Sequence, residues 1–167
     1  SLVTSGMRQL AQQACGPYHN RPDLKLYTLD LAKARAHVHS AGLALEFPGF
    51  DRATPFAAQP LVGVGGQDAS TSSLGTAIVR FDPGTGEAQR FDYGEGIIVE
   101  EPLFLSTKAG GYIIHTLLDY RRRRSGLAIL KADRVADGPL AIARMNRVLP
   151  LGFHGCFCPR VPSGNIG

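Results

Sequence analysis

Two short stretches constrain this chain more than anything else in it: Leu43–Phe50, read LALEFPGF, and Val99–Leu105, read VEEPLFL. Each sets a glutamate, Glu46 or Glu101, at the opening of a strand-like apolar run, with Pro48 or Pro102 close behind. The two glutamates stand 55 residues apart, and 53 residues further on comes His154, in the stretch RVLPLGFHG. Each interval holds alternating sequence for about four strands, and a four-stranded unit of roughly 50 residues is one blade of a β-propeller.

The segments between these marks read as strands and turns. Leu24–Leu31 alternates, and Gly75–Phe81 (GTAIVRF) passes through Asp82-Pro-Gly-Thr-Gly86 into Glu87–Tyr93, the most secure hairpin in the sequence. Ile97–Leu105, Gly111–Tyr120, Ser125–Ala132 and Leu140–Arg147 follow as further single strands, separated by glycine-bearing turns and an arginine run. Helical spacing is confined to Ser5–Cys15, through Met7, Leu10, Ala11 and Ala14. The expected fold is therefore all-β, with two complete blades at about 45–93 and 100–147. The last strands of an earlier blade (24–40) precede them, and the first strand of a later one follows. The first strand of a blade lines the propeller axis, so Glu46, Glu101 and His154 should converge from three successive blades on one axial site. Two blades cannot close a ring, so residues 1–167 read as a sector of a single larger domain.

Composition removes several other classes. With 167 residues, 44% hydrophobic and 19% charged, the chain can bury a core and does not read as disordered. Its net charge of +4 owes much to one run, Arg121–Arg124, which falls between two strands as a solvated turn. No aromatic residues are interleaved with it for base stacking, so a nucleic-acid partner is not expected. Three cysteines do not make a disulfide framework, which points to a reducing compartment and a cytoplasmic location. Cys156-Phe-Cys158 lacks the second ligand pair of a zinc site and reads as a strand. His37 and His39 share one face of an outer, exposed strand. No apolar run is long enough to span a membrane, and there is no signal segment at the start; peripheral membrane contact by a longer protein stays open. On residue types alone, a histidine such as His154, set among apolar residues, is more often buried and hydrogen-bonded than a metal ligand.

Four stretches in order, RPDLKLYTLDL (Arg21–Leu31), EFPGFD (Glu46–Asp51), EEPLFL (Glu100–Leu105) and LPLGFHG (Leu149–Gly155), resemble the C-terminal part of the carotenoid cleavage oxygenases. The resemblance runs from about residue 19 onward and implies a seven-bladed propeller. It further implies one Fe(II) held on the axis by four histidines, and cleavage of a conjugated C=C bond with O2. His154 matches the last of the four ligands, while Glu46 and Glu101 match two of the three glutamates that accept hydrogen bonds from ligand histidines. The physics suits this division. Neutral imidazole fits ferrous iron, and a carboxylate on the far ring nitrogen fixes the tautomer and raises the ligand's basicity.

The resemblance places the other three ligand histidines upstream of Ser1, and His19, His37, His39 and His115 match none of them. The expected function is that of an Fe(II)-dependent dioxygenase acting on apolar, conjugated carotenoids, apocarotenoids or stilbenes. Residues 1–167 would be an inert C-terminal portion of it, with no catalytic side chain of its own. The alternative is a free-standing β-rich interaction module without metal chemistry. Phe47, Phe50, Phe104 and Phe153 would suit the wall of an apolar tunnel or a plain core equally well.

Overall fold

The computed structural model describes residues 23–51, 59–65, 75–152 and 154–158. The helical expectation for Ser5–Cys15, His19 and Phe153 lie outside them. Eleven strands follow in chain order: β1 (Lys25–Asp30), β2 (Arg35–Ser40), β3 (Glu46–Phe50), β4 (Leu61–Gly65), β5 (Ala77–Phe81), β6 (Ala88–Asp92), β7 (Ile97–Val99), β8 (Leu103–Thr107), β9 (Gly110–Asp119), β10 (Arg124–Lys131) and β11 (Pro139–Arg144). One 3-10 turn at Val135–Asp137 is the only helical element among the described residues.

All pairing is antiparallel. β3-β4-β5-β6 form one four-stranded sheet, and β11-β10-β9 form a second with β7 and β8 both paired to β9. β1 and β2 stand as a hairpin. The β5–β6 hairpin is closed as its turn chemistry demands: Asp82 accepts from the amides of Gly84 (2.9 Å) and Thr85 (3.3 Å), and Gly86 takes the left-handed φ of 76°. The fold is all-β, as expected.

β5, one of the two inner strands of the first sheet, is buried on both faces, and the alternation of its side chains divides two cores. Ile78 joins Val62 and Val64 against Val99, Ile113, Leu117, Ala128 and Leu130 of the second sheet and Val135 of the 3-10 turn. Val79 and Phe81 point the other way, to Leu24, Leu45 and residues that flank the β1–β2 hairpin. Ile78, Ile113 and Leu130 are fully buried, each stabilising the fold by roughly 1.5–3 kcal/mol relative to exposure. Gln89 of β6 ties the sheets together: its Oε1 accepts from the Val135 amide at 2.9 Å, and its Nε2 donates to the Asp133 carbonyl at 3.1 Å.

Two readings need correction. Ile97–Leu105 is two strands, because the ladder breaks at Glu100-Glu101-Pro102; Val99 pairs with Leu117 and Leu103 with Ile114. Three residues therefore face two, and proline has no N–H to carry the ladder through the break. Glu101 accordingly sits in the break and does not open a strand. Cys156 and Cys158 are exposed free thiols in irregular chain, not strand residues, since nothing pairs with that segment among the described residues.

Candidate metal-supporting site

The break in the first strand of the second sheet has a counterpart in the first. Glu46 pairs with Val64 and Gly49 with Val62, so Phe47 and Pro48 face Gly63 alone. Phe47 takes the left-handed φ of 52°, which a bulged residue can adopt and a regular strand residue does not. Each first strand thus carries one extra residue beside a glutamate and a proline.

At the second bulge the ladder is held by the Glu100 amide donating to the Thr116 carbonyl at 3.1 Å. The chain returning after β11 is laid across this point by a series of side-chain acceptors. Leu149 N–H donates to Ser125 Oγ at 2.8 Å, and Gly152 N–H donates to Glu100 Oε1 at 2.5 Å. Thr116 Oγ donates to the other oxygen of Glu100. Two residues after Gly152, His154 Nδ1 lies 3.0 Å from Glu101 Oε2. A carboxylate only accepts, so Nδ1–H donates, and neutral His154 then carries its free lone pair on Nε2.

The His154 side chain is 78% exposed and that of Glu101 27%. The ring meets Phe47 edge-on at 6.2 Å between centroids, which brings the first bulge next to the second. Of the three residues marked by the spacing, Glu101 and His154 are therefore in direct contact. Glu46 stands one residue from the His154 contact, is exposed, and does not line the cavity beside it. That cavity, of about 120 Å³, is lined by Glu100, Glu101, His115, Thr116, Leu127 and His154 among others.

Sequence reasoning missed Glu100; it set His115 aside as a ligand, and the structure gives that histidine a place in the core. The doubled glutamate before Pro102 was the available sign for Glu100. His115 is only 2% exposed, on the face of β9 that carries Ile113 and Leu117 into the core. Its Nδ1 donates to the Thr116 carbonyl at 3.0 Å, so its Nε2 accepts from the Tyr93 hydroxyl at 2.8 Å. Burial lowers its pKa to about 4, against smaller upward pulls from the Thr116 carbonyl and Glu100. With both ring nitrogens engaged, His115 is a neutral core residue and not a ligand. His37 and His39 lie on β2, which is exposed along its whole length.

A larger cleft, of about 510 Å³, shares no lining residue with the His154 cavity. Arg121 and Arg122 line it, and they pair with Glu95 and Asp119, so the arginine run is partly neutralised by its own surroundings. Among the described residues, no three His, Cys, Asp or Glu are grouped to hold a metal ion. The donor chemistry of His154 nevertheless fits one position of an imidazole-held metal: Nδ1 is anchored by a carboxylate and Nε2 is free.

A family model described as retinal pigment epithelial membrane protein matches residues 3–159. Solved structures with the same fold include an apocarotenoid oxygenase from Synechocystis, in a variant form. That match has 18% identity and a TM-score of 0.71, over 83% of this chain and 32% of that one. A cobalt-substituted form of the Synechocystis enzyme matches with a TM-score of 0.72 at 18% identity, over 84% and 32%. A lignostilbene dioxygenase from Pseudomonas brassicacearum matches with a TM-score of 0.68 at 23% identity, over 81% and 32%. The chain thus spans about a third of the length of these structures. With the bulged strands, the Glu101–His154 contact and a family match across almost the whole sequence, the chain belongs to the family of the retinal pigment epithelial membrane protein, the carotenoid cleavage oxygenases.

Proposed function

We propose that this chain is the C-terminal portion of an Fe(II)-dependent dioxygenase that cleaves a conjugated C=C bond of an apolar substrate with O2. In this reading residues 1–167 belong to one seven-bladed propeller domain, with blades at about 45–93 and 100–147. Two of the similar structures are named for their substrates, an apocarotenoid oxygenase and a lignostilbene dioxygenase. The observation that carries the reading is the hydrogen bond from His154 Nδ1 to Glu101 Oε2, which leaves Nε2 of an exposed ring free.

Iron, when bound, would supply the O2 chemistry; this chain's own residues hold and orient. His154 donates one imidazole, and Glu101 fixes its tautomer and offsets positive charge one shell out from the metal. Glu46 does the same for a ligand histidine supplied from outside this chain. The apolar rings of Phe47, Phe50 and Phe104 form part of the wall for a conjugated substrate. Tyr27 and Leu29, exposed on β1, are read as a face that meets a neighbouring blade. Nucleic acid is not a partner in this reading and the location is cytoplasmic. Among the described residues, no helix is long and apolar enough to cross a membrane.

The test is iron stoichiometry and O2-dependent cleavage of an apocarotenoid or a stilbene, measured on residues 1–167 alone and on the chain joined to the missing blades. The joined protein should hold iron near one per chain and turn over. The isolated chain should do neither. Iron retention with turnover by the isolated chain would overturn the reading, and so would a joined protein that never binds iron.

A further inference from the structure

We propose that Glu100, the carboxylate preceding Glu101, is the positioning residue for His154. This inference rests on the reading of His154 as an iron ligand. In a regular strand consecutive side chains leave on opposite faces, so Glu100 and Glu101 could not both reach one segment. The bulge at Glu100-Glu101-Pro102 removes that restriction, and both carboxylates reach the chain at 152–154. Glu101 takes the imidazole, and Glu100 takes the backbone amide of Gly152 two residues before it.

The need for a second anchor follows from what holds this segment. Residues 148–152 and 154–158 belong to no strand. A single hydrogen bond from a side chain as exposed as His154 would leave the ring's position loosely set. Glu100 is itself fixed on its other side by the hydroxyl of Thr116, in the middle of β9. A charge-assisted bond from a backbone amide to a braced carboxylate ties the segment to the most extensively paired strand of the sheet. The chain Thr116–Glu100–Gly152 thus sets where the backbone stands, and Glu101 sets how the ring is turned. Glu100 touches neither metal nor substrate in this account; it acts through Gly152.

The experiment uses the complete iron-binding protein that carries this chain. Two quantities are read: deuterium exchange of a peptide covering 148–155 in the metal-free protein, and the rate of Fe(II) loss to a chelator. Glu100→Ala should speed exchange at Gly152 at least tenfold and speed iron loss by a similar factor. Glu100→Gln should restore both, because its carboxamide oxygen accepts from Gly152 and its NH2 can donate to the Thr116 hydroxyl. Thr116→Val, which removes only the brace, should raise Gly152 exchange by a smaller factor and serves if Glu100→Ala fails to fold. Unchanged Gly152 exchange in Glu100→Ala or in Thr116→Val would overturn the inference, as would a Glu100→Gln protein as impaired as Glu100→Ala. His154→Ala separates the two readings: it should abolish iron retention while leaving Gly152 protected. Iron retained in His154→Ala would instead sink the ligand reading, and the ligand-positioning role with it, while the exchange results still report whether the clamp exists.

Discussion

The Tyr93 hydroxyl donates to His115 Nε2 across 2.8 Å, joining the chain just beyond the first sheet to the middle of β9 in the second. The pair sits in the apolar layer between the sheets, and Phe91 packs edge-on against Tyr93 at 4.9 Å between centroids. With the hydroxyl as donor, His115 is neutral, and charging the ring would place a cation in this buried layer. Burial holds its pKa at about 4, whereas the unfolded chain takes up the proton near the ordinary value of 6.5. Between these values the unfolded state binds more protons than the folded one, so stability is full above pH 6.5 and falls as the pH drops toward 4. The loss should reach on the order of 3 kcal/mol. Urea unfolding between pH 4 and 7 should show this slope, and His115→Gln should flatten it.

A methyl group on Gly63 should destabilise the first sheet. Its Cβ would stand 2.6 Å from the Glu46 carbonyl oxygen and also strike the Leu45 side chain. The Leu45 side chain can shift, but a backbone carbonyl in a paired strand cannot do so cheaply. Gly63→Ala is expected to cost about 1–3 kcal/mol, read as a lower urea midpoint.

Asp119 and Arg122 should respond unequally to removal. Asp119 is 2% exposed, accepts from the Arg122 amide at 2.8 Å, and has its pKa lowered first by that amide. The Arg122 side chain is 74% exposed. Asp119→Ala strips the turn amide of its acceptor and should cost about 1–3 kcal/mol. Arg122→Ala leaves the amide bond intact and should cost no more than about 1 kcal/mol. Denaturation midpoints of the two variants at neutral pH test the order.

In the complete iron-binding protein, His154→Ala should abolish iron retention. Glu101→Gln keeps the side chain's shape and loses its charge, and should weaken iron binding by roughly 10–100-fold. Metal analysis after gel filtration distinguishes the two. Equal iron content in wild type and His154→Ala would remove His154 from the ligand set.

Much of this was legible in the residues. Alternation and Pro-Gly turn chemistry located β5, β6, β9 and β10 to within about two residues, because β5, β9 and β10 carry buried positions and β6 follows β5 through a turn that admits few conformations. The spacing predicted a convergence of Glu46, Glu101 and His154; the structure joins Glu101 to His154 and leaves Glu46 outside that contact. The break between β7 and β8 was not legible, since a bulge is defined by what lies opposite it, and the opposing residues Thr116 and His115 come well over a dozen positions later. Glu100 was hidden for a related reason: beside Glu101 it reads as a duplicate, and only the returning amide of Gly152 gives it a separate task. His115 and Tyr93 could not be paired from sequence, because their contact depends on how two sheets stack.

The two bulges have a consequence in parity. Side chains on a strand alternate like odd and even numbers, and one surplus residue swaps the two classes for everything beyond it. The swap at Glu100–Pro102 lets neighbouring positions serve one patch, and the swap at Phe47–Pro48 brings a ring to meet it. What specifies the patch is therefore a count of backbone units as much as a choice of side chains. Substitutions can vary its walls one at a time, whereas deleting Pro48 or Pro102 would turn a whole strand over and scatter the patch without altering any of the residues that compose it.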